Sequence, residues 1–326
     1  MKNKAKYGEK ASFNASSLIS AMPYEKKPKK AWRRQLPLHF MILPGLVLIL
    51  VYNYIPMAGI TIAFQNFIPA KGIFGSQEWC GLDNFKYVFL LPGTMTVLWN
   101  TVYISFMKII AGLLTPILIA LLLNEIRKNS FKRGVQTLIY LPNFLSWVIF
   151  AGIIIDILSP SDGIVNKAIN LFGIEPIYFL GDEKWFPFTM VITDVWKNFG
   201  FNTIVFLAAL TAIDPTLYEA CYMDGAGKWK QTFYVTLPGM ASIIVLIAAL
   251  NIGQILNAGF DQIFNLYSPQ VYSTGDIIDT LVYRLGMINA QYGVATAVGL
   301  FKSTVSFGLI SLSYYFAYRF ANYRIF

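Results

Sequence analysis

Residues 214–238 read DPTLYEACYMDGAGKWKQTFYVTLP. The stretch has a helical grammar in two pieces. Asp214 is a good N-cap and Pro215 suits the first helical position. Leu217, Ala220 and Cys221 give a short apolar stripe, which Asp224-Gly225 breaks. The same pair can cap a second helix that carries Trp229, Phe233 and Tyr234 at helical spacing. Leu237-Pro238 then leads into a long apolar run. The segment predicts two short helices joined by a glycine elbow.

The surroundings are far from those of a soluble domain. Of 326 residues, 56% are hydrophobic and 13% charged, against roughly 25% charged in an ordinary soluble chain. A spanning helix needs about 20 apolar residues. Six stretches qualify, at about 38–63, 97–123, 137–158, 188–212, 241–260 and 295–318. The expected fold class is an all-α membrane protein with six transmembrane helices, and 214–238 falls between the fourth and fifth.

Charge orients this arrangement. The formal net charge is +9. Lys2, Lys4, Lys6, Lys10, Lys26, Lys27, Lys29, Lys30, Arg33 and Arg34 precede the first run. By the positive-inside rule they keep the N-terminus in the cytoplasm. An even number of spans returns the C-terminus there, with Arg319 and Arg324. Arg127, Lys128, Lys132 and Arg133 fit the same side, whereas 66–93, 159–187 and 261–288 are neutral or acidic. Trp32, Trp99 and Trp185 sit near span ends, as interfacial anchors do. The excess of basic residues is thus a topology signal and gives no support to nucleic-acid binding. The first apolar run begins too late for a signal peptide, so the tail reads as uncleaved. Cys80 falls outside and Cys221 inside and cannot pair. With His39 they make no metal-ligand spacing.

No catalytic constellation occurs, so an enzyme is not expected. Gly225-Ala226-Gly227-Lys228 fails as a phosphate-binding loop, because Tyr222 and Trp229 stand where a Gly and a Ser/Thr are needed. No cofactor or metal is expected.

Ionisable groups at membrane depth face a cavity or a partner. Lys108, Asp156, Asp194, Lys197 and Lys302 are of this kind. Lys197, three residues after Asp194, is expected to neutralise it. Asp156 is near a span end, and Lys108 can snorkel. Asp194, Asn198 and Asn202 share one face of the fourth span. Asn251, Gln254 and Asn257 recur every three residues on the fifth, over an arc of roughly 120°. Asn and Gln offer donors and acceptors to sugar hydroxyls, and Trp196 can stack on a ring. Trp196, Asn198, Asn202, Asn251, Gln254 and Asn257 are the substrate-pathway candidates. The alternative is hydrogen bonding between helices. Gly112, Gly152 and Gly299 read as close-packing points.

Glu219-Ala220-Cys221-Tyr222-Met223-Asp224-Gly225-Ala226, followed by Val235-Thr236-Leu237-Pro238, resembles the EAA loop of type I ABC-importer permeases, with Cys221 for the second Ala and Val235 for Ile. The resemblance implies that permease fold, with a cytoplasmic coupling helix between spans four and five. Glu219, Ala220, Asp224, Gly225, Leu237 and Pro238 would couple it to a separate ATPase. Tyr54–Ile60 with Phe67, Gly81–Phe85, Tyr140–Phe144, Gly259–Phe264, Asp276–Thr280 and Tyr283-Arg284 resemble the polysaccharide and oligosaccharide branch. The implied partners are a second, similar permease subunit in a heterodimer, two cytoplasmic ABC ATPase subunits, an extracytoplasmic sugar-binding protein and the bilayer of a bacterial plasma membrane. On this reading the chain divides into a basic tail (1–35), a first transmembrane helix (36–66), an outer loop (67–93), a core permease domain (94–318) and a short tail (319–326). The competing expectation is an ion-coupled secondary transporter, which would need a functional buried acid.

Overall fold

The computed structural model describes residues 31–73 and 75–321. The basic residues of 1–30 and Arg324 lie outside them, as do the side chains of Trp32, Arg33, Arg34 and Arg319.

Two units make up the chain, one ending at Ala58 and the other beginning at Gly59. The first unit holds the helix α1 (Ala31–Ile49), a π turn over Leu50–Tyr54 and the start of a 3₁₀ stretch, Ile55–Phe64, whose residues from Gly59 on belong to the second. Pro56 has no N–H to donate, and the helix changes its winding on either side of it. Its leucines, isoleucines and aromatics are exposed all round, as a helix surrounded by hydrocarbon would be. Leu36–Phe64 is long and apolar enough to span a membrane.

The second unit opens with a two-residue antiparallel ribbon, β1 (Gln65–Asn66) on β2 (Glu78–Trp79), the one exception to an all-helical fold among the described residues. Asn84 ties the ribbon down by donating to the carbonyls of Ala63 and Gln65 at 2.9 and 3.1 Å. The long helix α2 (Thr94–Glu125) follows, then α3 (Asn129–Tyr140) and α4 (Trp147–Leu158). Next come α5 (Phe186–Thr211), α6 (Pro215–Met223) and α7 (Leu237–Ile252). The short α8 (Phe260–Leu266) and α9 (Ile278–Tyr283) precede the final α10 (Tyr292–Ala321). Helix α2 lies along α5, and α7 along α10. Ile117, Ala120, Phe206, Leu210 and Met240 form the core at one end of the α2–α5 pair. Ile104, Phe150, Ile154, Phe186, Met190 and Ile263 form it at the other.

Among the described residues, four helices are long and apolar enough to cross a membrane, and up to six if each of two bent pairs counts as one span. The expected third span is such a pair. Helix α3, with its 3₁₀ extension to Phe144, and α4 meet at 107°. The predicted run 137–158 is therefore not one straight helix. Pro142 lies in the 3₁₀ turn, and Ser146 restarts the helix by accepting from the N–H of Ile149. The fourth run matches α5, which bends by 69° into α6. The fifth does not run to residue 260: its helix starts at Lys228, continues without a break through Pro238 and stops at Ile252. Pro238 closely follows the π turn over Thr232–Thr236, where the regular bonding is already widened, so Leu237-Pro238 is no boundary.

The glycines expected to pack closely are not the ones that do. A Cβ on Gly112, Gly152 or Gly299 would meet nothing within 4 Å in this chain. A Cβ on Gly200 would sit 2.0 Å from the carbonyl oxygen of Ile139, and one on Gly253 2.6 Å from Ile310. There α5 touches the backbone of α3, and the end of α7 touches α10.

Candidate functional site: a polar cavity and an exposed elbow

The chain stops being helical after Ile252. The N–H groups of Gln254, Ile255 and Asn257 bond the carbonyls three residues back, at 2.9, 3.2 and 2.7 Å. In such tight turns residues i and i+3 eclipse. Asn251, Gln254 and Asn257 therefore stack on one side. The sequence reading had spread them over the arc of a regular helix, which does not continue here. Opposite them stand Asp194, Asn198 and Asn202 of α5. The two sets line one cavity of about 240 Å³, together with Ser105, Lys108 and Gly112 of α2. Five of the six pathway candidates thus meet. Trp196 does not: its ring is turned away, 5.1 Å from that of Phe150. It follows Asp194 by two residues, about 200° around the helix.

The charges are arranged differently from expectation. Lys108 is 9% exposed and does not snorkel. Its ammonium donates to the carbonyl of Ala258 at 2.6 Å and to Gln262 Oε1, with Asp194 Oδ1 3.8 Å away. Gln262 in turn donates to the Met190 carbonyl and to Thr193 Oγ1. Gly259, at φ +90°, makes the turn that presents Ala258 to Lys108. The ion-pair partner of Asp194 is therefore Lys108, not Lys197.

Lys197 has another task. Its ammonium donates to the carbonyls of Pro142, Asn143 and Leu145 at 3.2, 3.1 and 2.5 Å, and lies over the rings of Trp147 and Phe150. These carbonyls lie in the break between α3 and α4, where Pro142 also accepts from the Leu145 N–H at 3.3 Å. Broken backbone at membrane depth must find partners within the protein, and one lysine supplies three bonds. Asn143 donates to Asn198 Oδ1, and Asn198 to Asp194 Oδ1, at 3.2 and 3.3 Å. A polar chain thus links the α3–α4 bend to the cavity. Ser105 Oγ is buried at the cavity wall without a partner among the described residues. No periodicity pointed to Ser105, Asn143 or Gln262, although Asn143 and Gln262 fall in two of the branch-like motifs.

Other signature residues also serve breaks in the chain. Asp276, 3% exposed, accepts from Thr280 Oγ1 at 2.7 Å and from Arg284 through both carboxylate oxygens, at 3.2 and 2.5 Å. The hydrogen-bonded Asp276 carboxylate holds the Arg284 guanidinium even further above its ordinary range. Asp279 pairs with Lys302 of α10 at 2.5 Å, so Lys302 is satisfied within the chain. Asp156 is exposed.

The second candidate is the elbow at 214–238. Asp214 caps α6 by accepting from the Thr216 N–H at 2.9 Å. Bonds from Thr216 hold the Asp214 carboxyl below the usual carboxylate range. At the other end, Gly225 N–H reaches the Tyr222 carbonyl and Ala226 N–H the Cys221 carbonyl, at 3.0 and 2.9 Å. That is the Schellman pattern, and Gly225 at φ +72° supplies its left-handed residue. Asp224 ends the first helix, but the second is entered from Gly227 and not capped by Asp224. Tyr218 Oη and Thr236 Oγ1, 3.0 Å apart, brace the two arms. Glu219, Ala220, Asp224, Gly225 and Pro238 are exposed, and Leu237 is half-buried against the α5 core. Tyr222 and Met223, 75% and 83% exposed, form an apolar tip without cover in this chain.

Residues 112–324 match the family described as "Binding-protein-dependent transport system inner membrane component". The polygalacturonan/rhamnogalacturonan transport system permease protein YteP of Bacillus subtilis (strain 168) is 40% identical over 312 residues, 94% of this chain and 97% of its own. Protein LplB of the same organism is 40% identical over 296 residues, 91% and 93% of the two chains. Among solved structures, a chain of a bacterial ABC transporter involved in the import of the acidic polysaccharide alginate is 36% identical, with a TM-score of 0.82. It covers 89% of this chain and 98% of its own length. The EAA-like elbow, the broken helices and these likenesses agree: the chain belongs to the family of binding-protein-dependent transport system inner membrane components.

Proposed function

We propose that this chain forms half of the translocation path of an ATP-driven importer for an oligosaccharide. A second permease subunit supplies the other half, two ATPase subunits sit below, and a sugar-binding protein delivers the cargo from outside the plasma membrane. The observation that carries the reading is the convergence of Asn198, Asn202, Asn251, Gln254 and Asn257 on one cavity. Amides exchange hydrogen bonds with hydroxyls in both directions, and Ile109, Val195 and Phe199 in the same wall can face the apolar side of a sugar ring. The alginate importer and the polygalacturonan/rhamnogalacturonan permease suggest a uronate-bearing oligosaccharide.

In this reading the exposed face of α6, with Glu219, Ala220, Asp224 and the Tyr222–Met223 tip, docks on the ATPase. Closure of the ATPases on ATP displaces the elbow, and α5 and α7 carry the displacement to the cavity they line. The chain itself hydrolyses nothing. An ion-coupled transporter would need a free buried acid, and Asp194 is engaged by Lys108 and Asn198.

The test is uptake by the whole importer of labelled trigalacturonate, an alginate trisaccharide and neutral maltotriose. The acidic sugars should enter in an ATPase-dependent way. Asn202→Leu with Gln254→Leu should reduce entry at least tenfold while the external receptor still captures the sugar. Uptake that persists without the ATPase would overturn the proposal.

A further inference from the structure

A second groove, of about 650 Å³, opens between the end of α2 and the elbow, away from the polar cavity. Its wall changes character along its length. Leu118, Leu121 and Leu122 line one part, and Arg127, Trp229 and Thr232 the other. Leu118 and Leu122 are 59% and 65% exposed, and Trp229 78%. Lys228 also lines the groove, but Glu125 occupies it at 3.1 Å. Arg127 has no acidic partner among the described residues, and neither have Lys128, Lys132 and Arg133 beside it. Helix α3, which bears the last two, is amphipathic. Phe131 and Leu138 lie exposed on one side, and Lys132 and Arg133 stand on the other.

We infer that this groove seats an anionic phospholipid, with an acyl chain along Leu118, Leu121 and Leu122 and its phosphate at Arg127 and Lys128. Three features select that occupant. The leucines lie in roughly the last two turns of α2, and Arg127 stands two residues past its end at Glu125, which places a cation beyond an apolar stretch as a headgroup lies beyond its acyl chain. The uncompensated charge has one sign, and basic residues just beyond a membrane helix attract anionic headgroups by about 1 kcal/mol each. Trp229 stands at the step, where an indole favours the interface. A neutral lipid would satisfy the leucines and leave the cations bare. The groove's far wall, Trp229 and Thr232, begins the helix that continues into α7. A lipid seated here therefore braces the elbow.

The effect on coupling rests on the function proposed above, whereas binding itself does not. Native mass spectrometry of the purified importer, exchanged between phosphatidylglycerol and phosphatidylcholine, reads binding. Wild type should retain phosphatidylglycerol in preference, and Arg127→Gln with Lys128→Gln should weaken that preference roughly tenfold or more. Leu122→Trp, which fills the groove and leaves the charge alone, should also displace the lipid. The control Lys71→Gln with Lys86→Gln, in the segment before α2, should change nothing. Equal retention of both lipids by wild type, or full preference in both groove variants, overturns the site. So does a cross-link from Cys at position 122 to another subunit, since protein would then cover the groove. In nanodiscs, phosphatidylglycerol should raise receptor-stimulated ATP hydrolysis in wild type and not in the double variant. Preferential binding without any receptor-stimulated hydrolysis would sink the coupling reading and leave the lipid site standing.

Discussion

Lys197 on α5 donates its ammonium to the Leu145 carbonyl, 52 residues earlier, at 2.5 Å. The bond joins the middle of one membrane helix to the gap between two others. It shows how the bend at 141–146 persists: the carbonyls that lose their helical N–H donors gain a cation instead.

Lys197→Met should therefore leave the Asn143 and Leu145 carbonyls unsatisfied, while Pro142 keeps its bond from the Leu145 N–H. Each costs about 1–3 kcal/mol when buried. We expect roughly 3 kcal/mol of destabilisation, read as a lower Tm of the purified importer and poorer assembly. Lys197→Arg, which keeps the charge and its donors, should recover part of it. An unchanged Tm in Lys197→Met would mean that water reaches the bend.

The close approach at Gly200 predicts a contrast between two glycines of the membrane core. Gly200→Ala drives a methyl into the Ile139 carbonyl and should cost about 1–3 kcal/mol as α3 and α5 are forced apart. Gly152→Ala meets nothing within this chain and should be neutral in Tm, or slightly stabilising through helix propensity. Equal losses in both would show that Gly152 is packed against another subunit.

At the elbow, Gly225→Val places a β-branched residue at φ +72°. The left-handed region costs an L-residue about 1–2 kcal/mol, and more when it is β-branched. The elbow should open and uptake should be abolished, with capture of sugar by the external receptor intact. Gly225→Asn, which tolerates that region, should retain a good share of uptake. Normal uptake in Gly225→Val would remove the elbow from the coupling mechanism.

The Asp214 cap gives a pH dependence with a definite sign. The carboxyl is held below its ordinary value, so its contribution to α6 is full above the unfolded pKa, near 4. It fades as pH falls through the lower folded value. Amide exchange over 216–218 should thus be constant from neutral pH down to about 5 and accelerate only under stronger acid, after correction for the intrinsic rate. Asp214→Asn should abolish that acid response and keep most of the cap. A response already present between pH 6 and 7 would point to another group.

Much of this was legible because it is local or periodic. The cap at Asp214, the break at Gly225 and the shared face of Asp194, Asn198 and Asn202 all follow from neighbours a few residues apart. The pairing of Asp194 was not legible, because nothing in spacing connects residue 108 to residue 194, and the nearer lysine is a poor guide. The breaks after Tyr140 and Ile252 were hidden inside runs apolar enough to pass as whole spans. Their only marks were Pro142 and Gly253 and the amides nearby. Trp196 was misassigned on residue type, although its offset of two from Asp194 already placed it across the helix. The open glycines failed for a related reason: composition shows that a helix carries glycine, not which backbone lies opposite.

The helix that leaves the elbow at Lys228 runs 25 residues to Ile252, about 37 Å, with one π turn over Thr232–Thr236 and Pro238 close behind it. Mechanically it is a beam. One end carries the exposed Trp229, and the other ends one residue past Asn251, on the wall of the polar cavity. A rod of that length converts a tilt of a few degrees at the fulcrum into ångströms of travel at Asn251. The one place where the rod can give is the widened turn at Thr232–Thr236, which Tyr218 of the other arm clamps at Thr236. That clamp sets the gain of the lever.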